Sequence, residues 1–382
     1  MKNLQAALAQ RKAAHLYRRR RIRETPQQVH MRIDGHEVIS FCSNDYLGLA
    51  NHPEVRKAFQ KAINELGVGS GAAHLINGHS HYHHALEEKL AEFTRQPRAL
   101  LFSTGYMANL GIIQSLMERG DAIFSDRLNH ASLVDGARLS NARLFRYQHR
   151  DTANLEAKLE RSSTSNTLIM TDSIFSMDGD LAPLPELYAL AKEHQTWLLI
   201  DDAHALGVLG ENGRGSLEHF SLAADDRLIL MGTLGKALGS AGAFVAGSEA
   251  LIEYLIQTAR SYIYTTAMPS AIAAATLASL KIISREPERR QRLLDNITYF
   301  RAQAMQCNLP LMDSETAIQG LLSGNNEEAL TASETLWKQG FLVTAIRPPT
   351  VPKGTARLRI TLSADHSHQQ IDQLLAAIKP EK

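Results

Sequence analysis

Trp197-Leu-Leu-Ile-Asp201-Asp202-Ala-His204 and Arg227-Leu-Ile-Leu-Met231-Gly-Thr-Leu-Gly-Lys236-Ala-Leu-Gly239 decide how this chain folds. Each is a short apolar run that ends on a reactive side chain, a carboxylate in the first and a lysine among glycines in the second. Such runs, bounded by turn residues, read as strands buried on both faces. Similar runs occupy residues 99–103, 122–125, 167–171 and 243–246, and helix-period stretches such as 107–117 and 184–194 lie between them. Strands that alternate with helices predict an α/β fold: a mostly parallel sheet with helices on both faces. Ligands of such sheets collect at the carboxyl ends of the strands.

Working outward, Leu4, Ala7, Leu8, Ala14 and Leu16 suggest an amphipathic N-terminal helix that runs into Arg18-Arg19-Arg20-Arg21. Past residue 284 the pattern changes. A charged helix at 286–303 leads to strands near 317–322, 343–346 and 356–363, and then to a helix carrying Ile371, Leu374, Leu375 and Ile378. The expected organisation is an N-terminal helical arm (1–40), a large α/β domain (41–285) and a small α+β domain (286–382). A chain of 382 residues has room for this, at about 150 residues per domain.

Composition narrows the function. Hydrophobic residues make up 44% and charged residues 21%, a globular mixture. With 41 basic and 40 acidic residues the net charge is +1, which argues against a protein that lives on phosphate-backbone contacts. The Arg18–Arg23 segment is therefore read as a solvated face or a contact for an anionic substrate. Cys42 and Cys307 form no CxxC pair, and two cysteines cannot build a disulfide framework. No export signal and no membrane span are visible, so a cytoplasmic enzyme without membrane or nucleic-acid partners is expected.

Lys236 ends a strand among glycines and apolar neighbours, surroundings that favour a neutral, nucleophilic amine able to hold a Schiff base. A phosphate-binding P-loop is excluded because position 230 is Leu and Ala237 follows the lysine, while a plain structural turn stays possible. Asp201 arrives at the carboxyl end of its strand. Beside a lysine Schiff base, such a carboxylate suits the ring nitrogen of pyridoxal phosphate, which needs an acid partner to stay protonated. His204 could reach the same pocket. In Phe102-Ser-Thr-Gly105-Tyr106-Met-Ala-Asn109 a strand turns through Gly105 into a helix, either a phosphate site or a simple turn. Gly67-Val-Gly69-Ser-Gly71 follows a helical pattern, not a strand, so it is no dinucleotide fingerprint.

Two further clusters remain. His79, His81, His83 and His84 precede Glu87 and Glu88; a hydrogen-bonded helix N-terminus explains them better than a metal, and no metal site is expected. In Ala356-Arg-Leu-Arg-Ile-Thr-Leu362, Arg357 and Arg359 share one face of a strand. That face could bind a carboxylate with forked geometry, or meet water or an acidic partner.

Together these segments resemble the α-oxoamine synthases, pyridoxal-phosphate enzymes of the aspartate aminotransferase fold. The resemblance runs from about Leu8 to the end of the chain. It is carried by Ser43-Asn-Asp-Tyr-Leu-Gly48, Asn129-His-Ala-Ser132, Phe175-Ser-Met-Asp-Gly-Asp180, Asp201-Asp-Ala-His204, Gly232-Thr-Leu-Gly-Lys236 and Arg347-Pro-Pro-Thr350. It implies that Lys236 carries the cofactor and moves the substrate proton, that Asp201 partners the ring nitrogen, and that His130 stacks on the ring. His204 and Ser176 would lie near the phenolic oxygen, Gly105 and Tyr106 beside the cofactor, and Thr233 at its phosphate. Thr265 and Thr266 would reach the cofactor of a neighbouring subunit in a homodimer. Asn44 and Arg359 match contacts to the substrate carboxylate, and Arg18 and Thr350 match positions near the acyl substrate.

Residues 177–183 and 346–352 look like members that join L-alanine to a pimeloyl thioester, on CoA or an acyl carrier protein. Residues 232–239 look equally like members that join glycine to acetyl-CoA. Ala205-Leu206 departs from the small or polar pair common after the histidine. A non-catalytic sensor of the cofactor could dispense with Arg359, Asn44 and His130, so their joint presence favours an enzyme.

Overall fold

The computed structural model describes residues 2–164 and 166–378. The chain divides into two compact units. One comprises the residues up to Gly48, Ser176–Asp180 and the chain from Gln291 onward; the other comprises Leu49–Phe175 and Leu181–Arg290.

In the first unit, β1 (His30–Ile33) and β2 (His36–Ser40) form an antiparallel hairpin. Its turn is Asp34-Gly35, with φ of 49° and 77°. That pair of left-handed residues is what a two-residue hairpin loop demands.

Seven strands build the sheet of the second unit. They are β3 (Arg98–Phe102), β4 (Ala122–Asp126), β5 (Arg143–Tyr147), β6 (Thr167–Asp172), β7 (Trp197–Asp201), β8 (Leu228–Thr233) and β9 (Ala243–Gly247). Their order is β3-β9-β8-β7-β6-β4-β5. β4 to β8 run parallel, and β9 lies antiparallel to both β3 and β8. β4, β6 and β9 are buried at every position, which is why they read as continuous apolar runs. One face packs under the helix Gly105–Leu116, where Ile112 and Ile113 meet Leu100, Ile123, Met170, Leu199 and Ile229. The helix Ser270–Arg285 presents Ala271 and Ala274 to Ala62, Phe59 and Ile63 of the helix Pro53–Leu66, small residues that let two helices approach closely.

Back in the first unit, β10 (Ile318–Gly324), β12 (Thr344–Ile346) and β13 (Ala356–Thr361) form a sheet in the order β10-β13-β12. β11 (Phe341–Leu342) instead pairs in parallel with β2. The strand expected at 343–346 is β12, and β11, which Val343 separates from it, is an additional strand that joins the other sheet. The N-terminal residues group with the C-terminal ones because β2 takes β11 as its neighbour. The charged helix expected at 286–303 spans Glu288–Gln306. No helix among the described residues is long and apolar enough to cross a membrane.

Candidate active site

In the second unit, the carboxyl ends of β6 and β7 set Asp172 beside Asp201 in register. Asp201 is buried, and one oxygen accepts the Ala203 N–H at 3.1 Å. Its other oxygen accepts an amide hydrogen from Asn109 at 2.8 Å. The second Asn109 hydrogen goes to Ser132 Oγ at 2.9 Å. Because Ser132 Oγ accepts there, its own hydrogen is free for His130 Nδ1, 2.7 Å away. The Ser132 N–H also points at Nδ1, at 3.3 Å, where the imidazole caps the helix Ala131–Leu139. Nδ1 is therefore the acceptor, and the ring proton sits on Nε2. One asparagine thus fixes a carboxylate and, through a serine, a histidine tautomer.

The electrostatics follow the geometry. Burial pushes the His130 pKa down; the Asp201 charge opposes this and the Lys236 charge adds to it, so the ring is neutral near pH 7. Asp172, which accepts the His130 backbone N–H at 2.7 Å, is raised well above the ordinary carboxylate range by burial and by the neighbouring Asp201 charge. Asp202 is raised to about 6 by burial, although it accepts the Ser216 N–H. Asn109 Oδ1 is buried without a hydrogen-bond partner among the described residues.

Lys236 is half-buried in the loop after β8. That loop is closed by bonds from Leu234 N to Gly242 O (2.9 Å), Gly239 N to Lys236 O (2.8 Å) and Ser240 N to Leu234 O (2.9 Å). Gly239 has φ +64°, and a Cβ there would stand 2.4 Å from Ala50 N, so the loop requires glycine. Gly105 opens the helix Gly105–Leu116, capped by Thr104, and a Cβ on it would come within 2.8 Å of Thr233 Cγ2. The N-terminus of that helix and the Thr233 side chain thus meet at one place. Thr233 also donates to Ala203 O at 3.3 Å. His204 is buried two residues past Asp202. Tyr106 is exposed, and its hydroxyl donates to Asp135. Thr265 and the exposed Thr266 lie between two helices, Thr266 paired with Ala73 in an isolated bridge.

In the first unit, Arg359 is buried on β13. It donates from Nε to Ser176 O (2.6 Å), from Nη1 to Thr361 Oγ1 (3.0 Å) and from Nη2 to Asn44 Oδ1 (3.2 Å). These bonds take three of its five N–H groups, and the Tyr46 hydroxyl is a further hydrogen-bond partner of the guanidinium. Tyr46 also donates to Asn44 Oδ1, at 3.4 Å, and burial raises its own pKa to about 12. Arg357 lies on the same face, as its spacing predicts, but that face is enclosed. Its guanidinium pairs with Asp178 and its Nε donates to Thr355 O at 3.0 Å, whereas Arg359 meets no carboxylate among the described residues. Arg18 and Thr350 line an open cleft of about 650 Å³ together with Arg19, Arg21 and Arg347.

Sequence reasoning quoted Asn109, Ser132 and Tyr46 within longer segments and assigned them nothing. Asn109 sits one helical turn past Gly105, hence on the same helix face, which was the signal available.

The profile described as aminotransferase class I and II matches residues 36–378. The chain belongs to that family, in its α-oxoamine synthase branch. It is 61% identical to the 8-amino-7-oxononanoate synthase of Methylococcus capsulatus, over 98% of this chain and 96% of that one. The 8-amino-7-oxononanoate synthase of Thioalkalivibrio sulfidiphilus is 58% identical over 99% and 97%. The solved serine palmitoyltransferase of Sphingomonas wittichii superposes with a TM-score of 0.92 at 30% identity, covering 98% of this chain and 96% of that one. The solved 8-amino-7-oxononanoate synthase of Francisella tularensis gives 0.79 at 35%, covering 90% and 97%. A further serine palmitoyltransferase with a TM-score of 0.92 carries PLP as its internal aldimine. The α/β fold class expected from strand alternation is the fold observed.

Proposed function

We propose that this chain condenses L-alanine with a pimeloyl thioester, releasing carbon dioxide and the free thiol, to give 8-amino-7-oxononanoate for biotin synthesis. It is then a pyridoxal-phosphate-dependent acyltransferase. The observation that carries this reading is the 61% identity to a synthase of that name over 98% of the chain. The donor set fits the cofactor: an amine (Lys236), a buried carboxylate (Asp201) with its own hydrogen-bond support, a neutral imidazole (His130) and a glycine-opened helix N-terminus with Thr233. When bound, the cofactor supplies an electron sink that makes the α-proton, and then the carboxylate, of the amino acid removable.

The chain's own groups do the rest. Asp201 holds a proton on the ring nitrogen, and Asn109 keeps its carboxylate in place. His130, fixed as the Nε2–H tautomer, covers one ring face, and His204 and Ser176 serve the phenolic oxygen. The helix beginning at Gly105 and the Thr233 hydroxyl would hold the phosphate end, with Tyr106 beside the cofactor. Lys236 carries the resting cofactor, takes the α-proton of bound alanine as general base, and returns a proton after decarboxylation. Arg359, which meets only neutral groups among the described residues, offers its charge to the alanine carboxylate beside Asn44. Arg18 and Thr350 face the acyl donor, which CoA or a carrier protein delivers. The working form is a cytoplasmic homodimer in which Thr265 and Thr266 serve the neighbouring subunit's cofactor.

Thiol release by the purified yellow protein tests the reading. Release with L-alanine and pimeloyl-CoA supports it. Release only with glycine and acetyl-CoA would keep the fold and lysine chemistry but move the substrates. Lys236→Ala should lose the visible absorbance of covalently held cofactor together with turnover, and normal turnover in that variant would sink the assignment.

A further inference from the structure

Outside that site, the turn His74–Gly78 and the start of the helix His81–Thr94 gather His74, His79, His83, His84 and Glu87, none of which the condensation uses. Hydrogen-bond polarity sorts them. Ser80 N–H donates to His83 Nδ1 at 3.0 Å, so His83 carries its proton on Nε2 and gives it to Met268 O at 2.8 Å. Both nitrogens of His83 are occupied, and it is framework. His74 is buried and stacked on Tyr262, with ring centroids 5.1 Å apart. Its Nδ1 lies 2.9 Å from His79 Nδ1. In the tautomer in which His79 Nδ1–H donates there, the lone pair of His79 Nε2 points away from His74. It faces Glu87 Oε2 at 3.8 Å, too far for a hydrogen bond, while Glu87 Oε1 is already tied to Leu101 N–H at 2.9 Å. In that tautomer His79 Nε2 and Glu87 Oε2 present two acceptors across a gap that a cation fits. His84 completes the trio: one ligand atom each from His79, His84 and Glu87 lies within 4.8 Å of the others.

We propose that His79, His84 and Glu87 bind a zinc-class divalent cation, with His74 holding His79 from behind. Two imidazoles and one carboxylate suit zinc and its borderline neighbours rather than calcium or magnesium. A histidine ligand whose second nitrogen is hydrogen-bonded is the usual supporting arrangement. Bonds of about 2.0–2.1 Å in a tetrahedron bring ligand atoms to about 3.4 Å. His84, whose side chain is 67% exposed and rests 3.5 Å from Glu88 Oε1, is the ligand that swings inward from that carboxylate to close the trio. The ion would pin the turn His74–Gly78 to the helix beside the Ala73–Thr266 bridge. Three protein ligands leave a fourth position for water.

The test uses tag-free holoenzyme, stripped with a chelator and desalted. It is titrated with Co²⁺, read by visible d–d absorption, and then with Zn²⁺, read by mass spectrometry of the metal after desalting. One ion per chain is expected. Affinity should fall at least tenfold in His84→Ala and in His79→Gln and stay unchanged in His81→Ala, an exposed neighbour outside the trio. Covalently held cofactor, read by its own absorbance, should be equal in all of them, which separates metal loss from misfolding and from any failure of the substrate assignment. Wild-type protein that retains no ion, or an ion retained equally by His84→Ala and His79→Gln, would overturn the proposal.

Discussion

Asn109→Leu should uncouple stability from turnover, because Asn109 does two opposite things. Its amide nitrogen donates to Asp201 at 2.8 Å and to Ser132 at 2.9 Å, while its carbonyl oxygen is buried with no partner among the described residues. A hydrogen bond to a charged group contributes about 1.5–3 kcal/mol and one between neutral groups about 0.5–1.5 kcal/mol. An orphaned buried acceptor costs about 1–3 kcal/mol, which leucine removes along with the two donors. The two sides partly offset, so unfolding free energy should fall by about 1 kcal/mol and by no more than about 3.5 kcal/mol. Turnover has no such offset. Asp201 loses one of its two hydrogen bonds, and if that support is used in holding the ring nitrogen, about 1.5–3 kcal/mol is a fall of about 10- to 150-fold in kcat. The assay is kcat under saturating L-alanine and pimeloyl-CoA, beside urea unfolding of the same preparations. Wild-type kcat in the leucine variant would refute the role given to Asn109. A loss of stability beyond about 3.5 kcal/mol would refute the offset.

Three other outcomes follow from the same geometry. Asp202 has its folded pKa raised by burial to about 6 against 3.8 unfolded, so the native state binds the proton more readily. Its contribution is complete below about pH 4 and is lost as pH rises through 6, a decline of up to about 3 kcal/mol. Asp202→Asn should flatten that slope in unfolding experiments between pH 4 and 7, and an unchanged slope would exclude Asp202 as its source. Asp178→Ala strands Arg357, whose side chain is 3% exposed, and should lower unfolding free energy by about 3–5 kcal/mol; a shift under about 1 kcal/mol would mean that water satisfies the guanidinium. Gly239→Ala puts a Cβ 2.4 Å from Ala50 N at φ +64°, so it should yield protein with little covalently held cofactor, and full cofactor absorbance would show that the Lys236 loop tolerates the shift.

The fold was legible where burial is two-sided. β4, β6 and β9 are enclosed on both faces, and nothing polar interrupts their reading until the strand ends. β5 escaped because it is the sheet edge: Arg143 and Arg146 are exposed, and charge on an edge strand hides the pattern that betrays the others. The hairpin of β1 and β2 was readable and went unread, since Asp34-Gly35 between two short runs is a strong local hairpin signal. The strand at 343–346 was legible as β12, but the two-residue β11 before it had no such signal, because it exists by meeting β2.

The site shows the same boundary between local and distant information. Period-two spacing placed Arg357 and Arg359 on one face of β13, and they share it. Spacing says nothing of what covers a face, and the covering group, Asp178, lies 179 residues away in the chain. It distinguishes the two arginines, since one is held in an ion pair and the other meets only neutral partners among the described residues. Asn109 is the sharper case. Its partners Ser132 and Asp201 lie 23 and 92 residues away, so no local pattern can announce that one amide orients both a carboxylate and an imidazole. Strand ends give away where chemistry happens, because the sheet imposes that location on the chain. The supporting groups that fix charge and tautomer come from whichever helix happens to pass over those ends, and only the folded packing reveals them.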